Sequence, residues 1–149
     1  MTFYKKIIDW LKKLFELEKY DFERIIFTKE VIEAIIELAR MTSPNEFIAF
    51  LQGKVRKRTL RIHGLAYQEY FANENSTLAK INFPLTSSIV GSVHSHPGPS
   101  NKPSRADLHF FSKRGMVHLI IKKPYTEKDI QAYDAKGNKI MFEITPETS

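Results

Sequence analysis

The chain contains no cysteine among its 149 residues. This absence excludes disulfide-stapled scaffolds, thiol nucleophiles, iron–sulfur clusters and cysteine-type zinc fingers. Any metal ion must therefore be bound by histidine, aspartate or glutamate. The sequence also lacks a long apolar run. Its longest stretch without a charged residue, 81–101, contains too many serine, proline, asparagine and histidine residues for a membrane span.

The amino-terminal segment shows no signal-peptide pattern, because Lys5, Lys6 and Asp9 interrupt its apolar residues. We therefore expect a soluble cytoplasmic protein. With 42% hydrophobic and 12% aromatic residues, the chain should form a hydrophobic core and fold as one globular domain.

Residues 3–17 have the apolar periodicity of an amphipathic helix, carried by Phe3, Ile7, Trp10, Leu11, Leu14 and Phe15. The charges of residues 1–24 nearly balance, so we do not expect a membrane partner. The helix is expected to pack on this domain or on a second copy, which would give a homodimer. We treat 1–22 as an amphipathic extension of a domain spanning 23–149.

The remaining periodicity predicts strands separated by helices. Thr28 is a candidate N-cap for a helix carrying Val31–Ala39, and a second helix is predicted over Ser104–Arg114. Strands are predicted at Arg24–Phe27, Glu46–Gln52, Thr59–Leu65, Ile89–His96, Met116–Lys122, Ile130–Tyr133 and Lys139–Ile144, with a weak strand near Leu78–Phe83. The last two clear strands should form a hairpin about a turn at Ala135–Asn138. The fold class is α+β (mixed α/β), with helices packed on one mixed sheet.

One segment carries the residue types that bind metal ions. His94 and His96 lie two apart on a predicted strand, so their side chains share one face with Cα atoms about 6.5–7 Å apart. Two imidazoles so placed can converge on one ion at distances of about 2.0–2.1 Å. Pro97 favours an extended backbone at His96, which helps to keep this shared direction.

Ser104 and Asp107 follow at the predicted start of the second helix. The S-x-x-D spacing is typical of a capping box, in which the serine caps the helix and the aspartate lies near the positive end of its dipole. An aspartate in the first helical turn can also supply a third metal ligand where the strand ends and the helix begins. Catalytic zinc sites commonly use three protein ligands and leave the fourth position to water.

Together these residues form the pattern H-x-H-x7-S-x2-D, which resembles the signature of the JAMM (MPN-plus) zinc metallopeptidases. The resemblance extends from about Phe27 to Ile144 and is greatest to the compact archaeal members. It implies a curved mixed sheet of JAMM/MPN (cytidine-deaminase-like) architecture. It also implies that His94, His96 and Asp107 bind Zn²⁺. The amino-terminal helix lies outside the resemblance.

The family also uses a glutamate that follows a proline at the start of an earlier strand. Here Pro44-Asn45-Glu46 supplies it. Because Glu46 opens an apolar strand, it is either a carboxylate made more basic by burial or a solvated strand end. The resemblance implies that Glu46 is the general base and that Ser104 donates a hydrogen bond to the oxyanion. We expect structural or surface roles for His63, His109 and His118.

A basic cluster comprises Lys54, Arg56, Lys57, Arg58 and Arg61. It is either a solvated turn or a surface that steers an acidic partner. Because aromatic residues are few around this cluster, a nucleic-acid partner is not expected.

Three functions remain open. The first is a zinc isopeptidase that removes ubiquitin-like proteins, of the small archaeal modifier type, from lysines. The second is a peptidase that trims a ubiquitin-like or sulfur-carrier protein to expose its Gly-Gly end. The third, disfavoured by the intact ligand set, is a non-catalytic scaffold of the same fold. The choice between the first two depends on how residues 66–87 shape a groove for the modifier tail.

Overall fold

The computed structural model describes residues 2–8, 10, 22–67, 89–113 and 115–146. Within these residues the helices are α1 (Lys29–Thr42) and α2 (Arg105–Lys113), with a short 3-10 helix at Glu127–Asp129. The strands are β1 (Arg24–Thr28), β2 (Ile48–Arg56), β3 (Thr59–Tyr67), β4 (Ile89–Ser95), β5 (Val117–Ile121), β6 (Ile130–Tyr133), β7 (Lys139–Ile140) and β8 (Glu143–Thr145).

The strands form one eight-stranded sheet in the order β7-β6-β5-β4-β2-β3-β1-β8. The pairs β1–β3, β1–β8 and β4–β5 are parallel, and the remaining pairs are antiparallel. The predicted mixed α/β class is therefore confirmed. The sheet is strongly curled, because β7 and β8 lie at opposite edges yet only Met141 and Phe142 connect them. Four consecutive Cα atoms span at most about 11 Å, whereas a flat sheet of this size would be roughly 33 Å wide.

Each helix covers a different face of the sheet. Thr28 caps α1 as predicted, accepting a hydrogen bond from the Val31 N–H at 3.4 Å. The helix buries Val31, Ile32, Ile35 and Ala39 in the main core, which also contains Val117, Leu119 and Ile121 of β5. The alternate β5 residue Ile120 belongs instead to a second cluster, with Phe111 of α2 and Tyr133 of β6. Because successive strand residues point to opposite faces, α2 packs on the face opposite α1.

The strand predicted over Glu46–Gln52 stops just before Gly53, and these bounds are wrong. β2 begins at Ile48 rather than Glu46 and continues to Arg56, and the turn contains only Lys57 and Arg58, both with positive φ. The register shifts between Gln52 and Gly53, and a Cβ at Gly53 would lie 2.5 Å from the Arg61 carbonyl oxygen. This glycine permits a close backbone approach within the strand and does not end it.

The predicted strand over Lys139–Ile144 is divided in two. Its first part, β7, completes the predicted hairpin with β6, while β8 pairs with β1 at the other edge of the sheet. β1 and β8 are far apart in the sequence, and no local sequence pattern indicates that two such distant strands will pair.

Residues 3–8 and 10 are helical, in agreement with the first part of the helix predicted over 3–17. The predicted strand near Leu78–Phe83, and most of the groove expected over 66–87, lie outside the described residues. No helix in the described part of the chain is long and apolar enough to cross a membrane. The division into an extension, 1–22, and a domain, 23–149, stays a prediction.

Candidate metal centre

The two histidines lie where β4 reaches the edge of the core. His94 is the register partner of Ile48 and Ile120 on the neighbouring strands, and its side chain is only 6% exposed. His96 follows the last strand residue, and its N–H donates to the Ile121 carbonyl at 2.8 Å. Ser95 points to the opposite face, where its Oγ accepts the Phe47 N–H at 3.0 Å. The strand therefore presents both imidazoles on the face covered by α2.

Asp107 reaches the histidines from the first turn of α2. The predicted capping box is present: the Ser104 N–H donates to Asp107 Oδ2 at 2.7 Å, and the Asp107 N–H donates to Ser104 Oγ at 3.1 Å. These two bonds hold the carboxylate in one orientation and satisfy two backbone donors at the helix start. The capping and metal-binding interpretations of Asp107 are therefore compatible.

The three side chains converge on one point. Asp107 Oδ1 lies 3.0 Å from His94 Nε2, and Asp107 Oδ2 lies 3.1 Å from His96 Nε2. The two Nε2 atoms are 3.2 Å apart. A tetrahedral ion with bonds of about 2.0–2.1 Å separates its ligands by about 3.3 Å. The donor set and its spacing therefore fit Zn²⁺, and His94, His96 and Asp107 form the one potential metal-binding group within the described ranges.

A hydrogen bond to the backbone determines which nitrogen of the His96 ring faces the metal site. His96 Nδ1 lies 3.0 Å from the Ser100 carbonyl oxygen, which can only accept. We infer from this network that Nδ1 carries the hydrogen, which leaves the lone pair of the neutral ring on Nε2. This arrangement is typical of histidines that ligate a metal through Nε2.

The Asp107 carboxyl is kept in its ionised form. Partial burial by itself raises its pKa, but the hydrogen bond and charge of His94, together with the hydrogen bonds of Ser104, lower it by more. The net result is a pKa well below the usual range of an aspartate. The site therefore supplies a carboxylate at neutral pH, which is the form that binds a cation.

Glu46 is brought to the same end of the sheet but is not buried. The Ser95 N–H donates to the Phe47 carbonyl at 3.2 Å, so the β2–β4 pairing continues one residue beyond Ile48. By the same register Glu46 lies opposite His96, on the face that carries the metal ligands. Glu46 is exposed, which agrees with a solvated strand end and not with a buried carboxylate. Its exposure follows from its position before the first strand residue.

Sequence reasoning missed the residues that hold the loop between His96 and Asp107. The Tyr133 hydroxyl donates to the Asn101 carbonyl at 2.7 Å, and Asn101 Nδ2 donates to the Asp129 carbonyl at 3.1 Å. The Tyr125 hydroxyl donates to the His96 carbonyl at 3.3 Å. In the sequence, these loop contacts were indicated only by the presence of Tyr125 and Tyr133 after the loop rich in proline and serine.

A second missed feature is the aromatic packing beneath the site. The Phe111 ring stacks on His118 with centroids 4.3 Å apart and contacts the rings of His94 and Tyr133, each at 6.1 Å. His118 Nδ1 lies 2.7 Å from Ser92 Oγ. Burial, and then the charge of His94, lower the pKa of His118 to about 4, so the ring is neutral at neutral pH. The structural role expected for His118 agrees with this packing.

The other candidates lie away from the centre. His63 and His109 are exposed, in agreement with surface roles. The basic cluster occupies the tip of the β2–β3 hairpin and adjoining strand residues. Its Arg56 is separated from Ile48 by the length of β2, about 26 Å. The hairpin tip is therefore at the end of the sheet remote from the metal centre.

The curled mixed sheet and the His94, His96 and Asp107 set define a metalloprotease-like zinc site of the JAMM class. Residues 28–136 match the family of prokaryotic homologs of the JAB domain, Prok-JAB. This chain belongs to that family.

Individual relatives agree with this assignment. A probable metalloprotease of Haloferax volcanii is 32% identical over 120 residues, covering 72% of this chain and 71% of that protein. A structure described as a JAMM metalloprotease-like zinc site in the proteasome and signalosome has 29% identity and a TM-score of 0.64, covering 83% of this chain and 99% of its own. A JAB1/MPN-domain protein from Archaeoglobus fulgidus has 29% identity and a TM-score of 0.63, and the match covers 82% of this chain and 98% of that protein's chain.

Proposed function

We propose that this protein is a zinc-dependent isopeptidase that removes a ubiquitin-like modifier, of the small archaeal type, from lysine side chains. The observation that carries the proposal is the convergence of His94, His96 and Asp107 on one point. The register of β2 and β4 supports Glu46 as the residue at the same end of the sheet. The relative described as a probable metalloprotease supports hydrolysis of a peptide-type bond. The same site would serve the alternative reaction, trimming of a ubiquitin-like or sulfur-carrier protein to a Gly-Gly end.

Each residue has a defined role in this reaction. When bound, zinc lowers the pKa of water to about 7 and polarises the scissile carbonyl. Glu46 accepts the proton of the attacking water and delivers it to the departing amine. The Ser104 hydroxyl donates to the carbonyl oxygen as negative charge develops on it. No side chain forms a covalent intermediate.

The exposure of the site favours a macromolecular substrate. Glu46 and Ser104 are exposed, and the His96 and Asp107 side chains are 15% and 17% exposed. An enclosed cavity would suit a small molecule. An accessible edge instead admits an extended tail that belongs to a folded protein.

The decisive experiment compares two fusions of one ubiquitin-like modifier. In the first, the carboxyl-terminal glycine is joined to a lysine ε-amine of a reporter peptide; in the second, it is joined linearly to the reporter's α-amine. We expect zinc-loaded protein to cleave the isopeptide fusion faster and a chelator to abolish cleavage. Cleavage of the linear fusion alone would favour the trimming function. Cleavage of neither fusion would leave the scaffold interpretation.

Replacement of Glu46 tests the general base. We expect Glu46→Gln to reduce turnover by about 10²–10⁴-fold while zinc affinity is retained, because the carboxylate accepts a proton and does not bind the metal. Glu30→Gln, at another exposed glutamate in the first turn of α1, is the matched control and should retain full activity. Full turnover by Glu46→Gln would disprove the assignment.

A further inference from the structure

We infer that the amino-terminal helix of one copy of this chain binds a groove on α1 of a second copy, which gives a two-fold symmetric homodimer. The inference concerns a surface outside the metal centre and does not depend on the proposed activity. It rests on two exposed apolar surfaces flanked by charges of opposite sign.

The first surface is the apolar side of residues 3–10. Phe3, Ile7 and Trp10 follow the i, i+4, i+7 spacing of one helical face, and they are 80%, 41% and 61% exposed. Tyr4 beside them is 74% exposed. Exposed aromatic side chains in this pattern are the anchors of helix-in-groove recognition. The described part of this chain does not cover them.

The second surface is an open groove of about 460 Å³ between α1 and the start of the 3-10 helix. Its lining is predominantly apolar and includes Ile36 and Met41, the latter 72% exposed. The carboxylates of Glu33, Glu37 and Glu127 lie around this apolar floor. The groove is therefore an acidic-rimmed apolar surface that accepts an amphipathic segment.

Charge complementarity favours the helix as the occupant of this groove. Three glutamates line the groove and outnumber the two cations beside them, Arg40 of the lining and Lys29, whose Nζ lies 3.8 Å from Glu33 Oε1. Exposed Lys5 and Lys6 flank the apolar residues of the helix. Ammonium groups placed near a carboxylate rim are attracted, and the apolar faces exclude water between them. The same glutamates would repel an anionic surface such as a membrane of acidic lipids.

Symmetry increases the apolar area that this contact buries. A buried aromatic side chain contributes roughly 150–250 Å². Two-fold symmetry uses each helix and each groove twice, so each anchor side chain contributes to the interface twice.

Trp10 is the single tryptophan of the chain and therefore reports this contact directly. The experiment measures molar mass by sedimentation equilibrium and Trp10 emission on the full chain between about 1 and 100 µM. We expect a dimer and a blue shift of the emission as concentration rises.

Ile7→Glu on the helix and Met41→Glu in the groove should each weaken dimerisation at least tenfold. Met141→Glu, at a methionine that is 90% exposed outside both surfaces, is the matched control and should dimerise normally.

Mixing the two variants separates this model from other interfaces. Ile7→Glu protein keeps an intact groove and Met41→Glu protein keeps an intact helix, so the mixture should form a heterodimer through one native contact. Three results would overturn the inference. These are a monomer with concentration-independent emission, a wild-type dimer that Met41→Glu leaves unchanged, and a blue shift that requires anionic phosphatidylglycerol vesicles.

Discussion

At the scale of a single residue, Ser104 caps α2 and in the proposed function also donates to the oxyanion. Its Oγ accepts the Asp107 N–H at 3.1 Å, which caps α2 and orients the carboxylate. A hydroxyl that accepts one hydrogen bond keeps its own proton for donation to a second group. The cap therefore uses a lone pair of the Ser104 hydroxyl, whereas donation to the oxyanion would use its proton. The two roles have different experimental consequences.

Substitution of Ser104 separates these roles. We expect Ser104→Ala to lower the free energy of unfolding by about 1 kcal/mol through loss of the cap and to lower kcat by about 10²–10³-fold through loss of the oxyanion donor. Ser104→Thr keeps both the cap and the donor, so it should retain most of the activity. Chemical denaturation and steady-state kinetics on both variants provide the measurements. A Ser104→Ala protein that lost stability but kept its kcat would restrict Ser104 to capping.

At the scale of elements, the centre depends on how α2 is held against the sheet. The ligands come from a strand end and a helix start, so their spacing depends on the connecting loop and on Phe111, which packs α2 onto the sheet. Tyr133 contributes to both, because its ring packs on Phe111 and its hydroxyl binds the loop at Asn101. We therefore regard Tyr133 as a positioning residue for the metal centre.

Removal of the Tyr133 hydroxyl tests this positioning. Tyr133→Phe keeps the ring packing but releases the Asn101 carbonyl, so we expect zinc affinity to fall about tenfold with a loss of about 1 kcal/mol of stability. Affinity is measured by competition with a chelating dye, and ligand geometry by the visible spectrum of the Co²⁺ form. Tyr67→Phe, at a ring that contacts Phe47 elsewhere in the core, is the control. Unchanged zinc affinity in Tyr133→Phe would reduce the hydroxyl to a structural role.

The sequence predicted the elements whose determinants are local. The Thr28 cap, the apolar face of α1 and the S-x-x-D box each act within a few residues, and the structure confirms all three. Gly53 misled the prediction because a glycine can indicate either the end of a strand or a close backbone approach within it. The Tyr133–Asn101 bond joins residues far apart in the chain, and no local pattern encodes such a contact. The role of Glu46 stays a prediction.

At the scale of the whole molecule, stability at low pH depends on buried carboxylates such as Asp129. Its Oδ2 accepts the Thr126 Oγ1–H at 2.7 Å and the Thr126 N–H at 2.9 Å, and Lys122 Nζ lies 3.3 Å from Oδ1. The Thr126 hydrogen bonds are the main cause that lowers the pKa of Asp129, with burial opposing them. A carboxyl whose pKa is lower in the folded state stabilises the protein above its unfolded pKa of about 3.9. This contribution is lost as the pH falls through the folded pKa.

Replacement of Asp129 should therefore have a pH-dependent effect. We expect Asp129→Asn to lower the free energy of unfolding at pH 7 by about 1–2 kcal/mol. The difference from the wild type should shrink as the pH falls below about 4, where the carboxyl of the unfolded chain takes up its proton, and should vanish below the lowered pKa of the folded state. Urea denaturation at pH 7 and pH 3 measures both values, and Glu30→Gln should follow the wild type at each. A difference that stayed constant with pH would mean that lost packing, and not the charge, causes the change.

Zinc binding should also stabilise the whole molecule, because the ion joins β4 to α2, elements that are otherwise connected by a loop. A ligand that binds only the folded state at 100 times its dissociation constant contributes about 2.7 kcal/mol. In a chain of this size that corresponds to a rise in Tm of about 5–10 °C.

Calorimetry with zinc and with a chelator should show this rise in Tm in the wild type and in His63→Gln, whose exposed histidine lies on β3. His96→Gln should lose it, because two of the three ligands cannot hold the ion. A zinc-dependent rise that persisted in His96→Gln would place the ion elsewhere in the protein.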